Sequence, residues 1–139
     1  MRHLVRQEGL ADAIVVESAG TGGWHVGELR DQRSRGVGER RGIPLSGRGQ
    51  QFTARDFERF DYVVAMDRQN LAALTDLAPT PAASAKLSLL RAHDVGSVGA
   101  DLDVPDPYYS GPEGFELVFD ICLSACRGLL ESVRDARSA

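Results

Sequence analysis

Short runs of β-branched and apolar residues alternate along this chain with segments whose apolar residues recur at helical spacing. That alternation is the strongest constraint on its fold. Ile14-Val15-Val16 reads as a buried strand and Tyr62-Val63-Val64-Ala65-Met66 as the clearest one, while Lys86-Leu87-Ser88-Leu89-Leu90 is a further strand candidate with alternatives open. Met1 to Glu8 reads as helix with Gly9 as its stop. Asp31 is placed to cap a polar helix to about Arg41, weakened by Gly36 and Gly38, with Val37 as nearly its only hydrophobic anchor. Thr53-Ala54-Arg55-Asp56 has the pattern of a capping box with Asp in place of Glu, opening a short helix that ends near Phe60. Asp67 caps a helix through Leu71 and Leu74 to about Leu77, and Ala78 to Ala85 reads as a loop. Phe115, Val118, Phe119, Cys122, Cys126, Leu129, Leu130 and Val133 then follow the spacing of one long amphipathic helix. Strands alternating with helices make an α/β fold, a parallel sheet covered on both faces.

In such sheets ligands bind beyond the carboxyl ends of the strands. Three segments are expected on that rim: the Gly-rich loop Ser18 to Gly27, the Met66-Asp67 junction, and Val104-Pro105-Asp106-Pro107-Tyr108-Tyr109. The last has the make-up of a general-acid loop. Val104 and Asp106 both precede prolines and are pushed into extended geometry, so the carboxylate sits on a stiff arm beside two aromatic side chains. The same string is equally a Pro-rich turn with tyrosines packed under it.

Composition narrows the classes of function. Hydrophobic content of 42% and charged content of 26% are those of a globular domain, and 139 residues suffice for one with a real core. No apolar run approaches a membrane span, and the opening Met1-Arg2-His3-Leu4 is no signal peptide. Two cysteines give no disulfide framework, so the expected location is cytoplasmic. A net charge of −4 argues against a nucleic-acid surface, although fifteen of the sixteen basic residues are arginine, leaving Lys86 as the one lysine. No Cys/His spacing supports a metal site, and His3 and His93 have no evident partner. No cofactor is expected.

Taken in order and spacing, Ser18-Ala19-Gly20-Thr21 with Trp24, Met66-Asp67 with Asn70-Leu71, and Asp106-Pro107-Tyr108-Tyr109 ahead of a long helix resemble the low-molecular-weight protein tyrosine phosphatases along nearly the whole chain. The resemblance implies a flavodoxin-like, four-stranded parallel sheet with helices on both faces, its first and interior strand missing here. It implies hydrolysis of phosphotyrosine proteins or small aryl phosphates through a phosphocysteine. Asp106 would be the general acid and then the general base, Trp24, Tyr108 and Tyr109 the walls around the substrate ring, and Ser18 the support of the nucleophile loop. Gln50 and Gln51 depart from the family, which often has a basic residue there.

The family's nucleophile loop, Cys followed by five residues, Arg and Ser or Thr, is not among these residues. Six positions after Cys122 stands Gly128, and six after Cys126 stands Ser132. Both cysteines fall mid-helix, where the amides are already bonded and cannot cradle an anion, so they read as buried, inert core thiols. A chain that opens inside a helix without a cap reads as a single phosphatase-like domain, residues 1–139, truncated at its N-terminus. The missing strand would lie between Ile14–Val16 and Tyr62–Met66. Its loss predicts a poorly folded and inactive chain. A non-catalytic pseudophosphatase or phosphoprotein-binding protein is the alternative, and a thioredoxin-coupled arsenate reductase relative a further one. Oligomeric state is not legible.

Overall fold

A computed structural model describes residues 1–22, 27, 32–43, 45, 47, 49–94, 101–105 and 111–138. The elements, in chain order, are α1 (Arg2–Gln7), α2 (Gln32–Arg40), α3 (Asp56–Arg59), β1 (Val63–Ala65), α4 (Arg68–Leu77), α5 (Pro81–Ser84), β2 (Leu87–Leu89), a 3-10 turn (Leu90–His93) and α6 (Gly111–Ser138). β1 and β2 pair in parallel, with Val63, Val64 and Ala65 opposite Leu87, Ser88 and Leu89. Parallel neighbours need a crossover, here supplied by α4 and α5. An isolated parallel bridge joins Gly20 to Gln51.

The local signals explain most boundaries. Gly9 ends α1 with a φ of 69°, the left-handed conformation that glycine reaches without penalty. Asp67 is extended, and its carboxylate accepts from the Asn70 amide at 2.7 Å, capping α4. At α3 the capping box is half made. Asp56 accepts from the Thr53 amide at 2.8 Å, but the Thr53 hydroxyl donates to the same carboxylate, and the Asp56 amide goes to the Thr53 carbonyl. A shorter Asp in place of Glu draws the hydroxyl toward itself.

Two expectations are corrected. Ile14–Val16 is not a strand in a ladder: Val15 is 76% exposed, its neighbours are half-buried, and no described strand pairs with the run. A strand exists only with a partner beside it, and this run is held instead by the Ile14 amide on the Leu10 carbonyl at 2.9 Å, by the Arg2 guanidinium on the Val16 carbonyl at 2.8 Å, and by packing of Ile14 and Val16 on the core. Residues 78–85 are not all loop either. Thr80 caps α5 by accepting from the Ala83 amide at 3.1 Å, and Pro81 takes the first helical position, where its missing N–H costs nothing.

The core forms three clusters. Phe57, Val63, Ala65, Leu74 and Ala83 gather around the front of the sheet. Leu90, Ala125, Leu129 and Val133 pack behind it with Ile14, Val64, Val104, Cys122 and Cys126. Leu4 and Val5 of α1 close on Leu130 of α6. Val37, 2% exposed, anchors α2 as expected. Lys86 donates to the Phe57 carbonyl at 2.5 Å, tying β2 to the end of α3.

Candidate active site

The exit of β1 is the fixed point of the site. Ala65 is buried, Met66 emerges to 47% exposure, and Asp67 turns the chain into α4. Four amides at a helix N-terminus lack intrahelical partners, and two carboxylates serve them here. Asp67 takes the Asn70 amide, and Asp103, from a segment 35 residues further on, takes the Arg68 amide at 2.8 Å. The Asp103 carbonyl accepts from Arg91 Nη1 at 2.9 Å, its amide donates to Asp101 Oδ1 at 3.0 Å, and the Val104 amide donates to the Met66 carbonyl at 2.8 Å. The run 101–105 that leads into Asp106 is thus tethered to the β1 exit, the head of α4 and the 3-10 turn.

The Gly-rich loop approaches the same junction from the other side. Gly20 exchanges backbone bonds with the 50–52 segment, donating to the Gln50 carbonyl and accepting from the Phe52 amide, each at 2.8 Å. Gln50 Nε2 donates to the Ser18 carbonyl at 2.7 Å, and the Gly27 amide reaches the Gly49 carbonyl at 2.7 Å. The Thr21 hydroxyl donates to Asn70 Oδ1 at 3.5 Å. The described flanks of all three expected rim segments therefore meet at the β1–α4 junction.

Of the individual site residues, Ser18 is described, exposed, with its carbonyl held by Gln50. Trp24, Asp106, Tyr108 and Tyr109 lie outside the described residues, as does Asp31. Asp67 is a helix cap, as expected.

The thiols stand apart from this rim chemistry. Cys122 and Cys126 lie in the middle of α6, half-buried rather than fully buried, packed among Leu90, Ala125 and Leu129. Burial, reinforced by Cys126, pushes the Cys122 thiol up to about 11. His93, expected to lack a partner, has one: its Nε2 lies 2.9 Å from Ser88 Oγ, and burial lowers its pKa. Among the described residues no three His, Cys, Asp or Glu side chains gather in a way that could hold a metal ion, and no helix is long and apolar enough to cross a membrane.

Sequence reasoning missed Arg91 and Asp103. The signal for Asp103 was its place three residues before Asp106 in an Asp101-Leu102-Asp103 run, but its helix partner is remote in sequence. Nothing local marks Arg91.

A parallel sheet with its loops gathered at a strand exit defines an α/β protein with a rim site, and comparison with known proteins specifies which kind. The chain belongs to the low molecular weight phosphotyrosine protein phosphatase family, whose model matches residues 1–139. It is 46% identical over 134 residues to a low molecular weight protein-tyrosine-phosphatase of Streptomyces coelicolor, spanning 96% of this chain and 82% of that one. To the human low molecular weight phosphotyrosine protein phosphatase it is 35% identical over 131 residues, spanning 94% and 81%. Its fold superimposes on a crystal structure of a protein tyrosine phosphatase from Entamoeba histolytica, with Hepes in the active site, at a TM-score of 0.91. That match has 31% identity and covers 98% of this chain and 85% of the other. The flavodoxin-like α/β class follows from these neighbours.

Proposed function

We propose that these residues form the acid-bearing body of a protein-tyrosine phosphatase site. Asp106 protonates the phenolic oxygen as a thiolate sulfur bonds to phosphorus and the P–O bond breaks. Asp106 then takes a proton from the water that cleaves the S–P bond, releasing phosphate. The acid is needed because an unprotonated phenolate is a costly leaving group at neutral pH. Trp24, Tyr108 and Tyr109 wall the substrate ring by stacking on a flat phenyl group, and Ser18 supports the nucleophile loop. The substrate class is a phosphotyrosine protein or a small aryl phosphate.

The observation that carries this reading is the tether of Val104 to Met66, which roots the Asp106 arm at the β1 exit, beside the Thr21–Asn70 contact of the Gly-rich loop. Neither cysteine among the 139 residues is followed six positions later by arginine, and Cys122 ionises too high to serve as a thiolate at neutral pH. The 139 residues alone are therefore expected to hydrolyse no aryl phosphate. The chemistry needs a Cys-x5-Arg loop from other sequence.

The test is a leaving-group comparison in a polypeptide with such a loop joined in frame ahead of residue 1. Asp106→Asn is expected to lower kcat/KM on phenyl phosphate by roughly 100-fold or more, and far less on p-nitrophenyl phosphate, whose phenolate leaves without help. Equal losses on both substrates would remove Asp106 from the acid role. Hydrolysis by the unjoined 139 residues would show that the nucleophile had been misread.

A further inference from the structure

We propose that Arg91 and Asp103 are positioning residues for Asp106, clamping the root of its loop to the exit of β1. The proposal rests on the general-acid reading of Asp106, and deepens it by assigning what holds that acid in place.

The clamp is built where it has most leverage. Pro105 has no N–H, so the Val104 amide is the last one before that of Asp106 itself that can be tethered, and it is tethered, to the Met66 carbonyl. Val104 precedes Pro105, which restricts it to extended geometry. A tether at Val104 therefore acts only two residues from Asp106, a reach of at most roughly 7 Å. Asp103, the residue before Val104, is itself fixed twice: its side chain takes the Arg68 amide at the head of α4, and its carbonyl takes the Arg91 guanidinium.

Arg91 is held on a firm support. Leu90, beside it, is 3% exposed, and Ser88 pairs with His93 across the turn. The turn's His93 carbonyl lies so close to Gly128 of α6 that a β-carbon there would sit 1.9 Å from it. The guanidinium also bears a cost. Its Nε–H is buried and has no acceptor among the described residues, an arrangement that subtracts from stability. A methionine of similar length would fill the space without that loss. What methionine cannot supply is a donor aimed at the Asp103 carbonyl. Stability alone does not account for an arginine at this position, whereas a clamp does.

The test starts with amide hydrogen exchange in the polypeptide that carries the joined loop. Arg91→Met is expected to speed exchange at Val104 at least tenfold while the β1 amide of Val63 keeps its rate, and Arg91→Lys to recover part of the protection. An unchanged Val104 rate, or one that rises together with Val63, would overturn the clamp. The second arm uses the same polypeptide. There Arg91→Met and Asp103→Asn are expected to lower kcat/KM on phenyl phosphate roughly tenfold, with kcat/KM on p-nitrophenyl phosphate little changed, since small displacements of a catalytic group are costly. If Asp106→Asn shows this signature and Arg91→Met does not, the positioning role is wrong. If Asp106→Asn lacks it, the general-acid reading fails, and the exchange measurement decides the clamp by itself.

Discussion

At the scale of single residues, environment rather than identity decides what each reactive group can do. Cys122 and Cys126 are the chain's two thiols, and α6 uses both as packing. A thiol that ionises near 11 rather than at the ordinary 9.0 carries about a hundredfold less thiolate at neutral pH. Cys122 is therefore expected to react with a disulfide reagent at least about tenfold more slowly in the folded chain than in urea, its scarcer thiolate being partly offset by greater nucleophilicity. A stopped-flow thiol assay on the Cys126→Ser variant reads this directly. Equal rates would mean that α6 opens freely around it. The same logic separates the carboxylates. Asp67 and Asp103 are spent on helix amides, and Asp56 on the Thr53 amide and Arg59. A rim crowded with acids thus has its described carboxylates assigned to structure.

At the scale of elements, two glycines make opposite predictions. Gly128 of α6 meets the 3-10 turn backbone, where an added β-carbon would sit 1.9 Å from the His93 carbonyl oxygen and 2.8 Å from its carbon. A β-carbon added at Gly36 of α2 would have only the flexible end of Arg40 within 4 Å, at 3.4 Å. Gly128→Ala is expected to destabilise by about 1–3 kcal/mol or more, as overpacking against backbone does. Gly36→Ala is expected to stabilise by roughly 0.5–1 kcal/mol, because alanine is the better helix former. Urea titration of both variants checks the pair, and the idea fails if Gly128→Ala is neutral.

What the sequence made legible follows the same division. Caps and helical periodicity are local, so Gly9, Asp67, Val37 and the apolar stripe of α6 could be read directly. The stripe omitted Ala125, fully buried at 0% exposure, because a small side chain gives little hydrophobic signal. Pairing is not local. Ile14–Val16 has the composition of a strand and no partner beside it, while the ties from Arg91 to Asp103 and from Asp103 to Arg68 join segments with no common pattern. The rim was legible through its three motifs, and its clamp was not.

At the scale of the molecule, titration links these parts to stability. Arg40 and then Arg41 hold Glu116 below its ordinary 4.5, the Thr53 amide holds Asp56 below 3.8, and burial holds His93 below 6.5. In all three the folded pKa is depressed, so the unfolded chain binds protons more readily. Their contribution is complete above the unfolded values and is lost as pH falls through the folded ones. Urea midpoints are expected to be level from pH 8 to about 6.5, to decline first through His93, and to fall further below about 4.5. His93→Gln should flatten the upper part of that decline, and a midpoint that rises on acidification would refute the scheme. The Arg40, Arg41 and Glu116 pairs are largely exposed, so they set the shape of the acid limb more than its height.

The division of the core also sets an order of events for a chain being made on a ribosome. The cluster of Phe57, Val63, Ala65, Leu74 and Ala83 draws nothing from α6 and can consolidate as soon as β2 has emerged. Leu4 and Val5 cannot, because their cover is Leu130, and the Glu8 carboxylate waits for Arg134, 126 residues later. The nascent α1 must therefore travel without its cover on Leu4 and Val5 until α6 is synthesised. For that interval it is the natural target of a holding chaperone, while the sheet behind it is already closed.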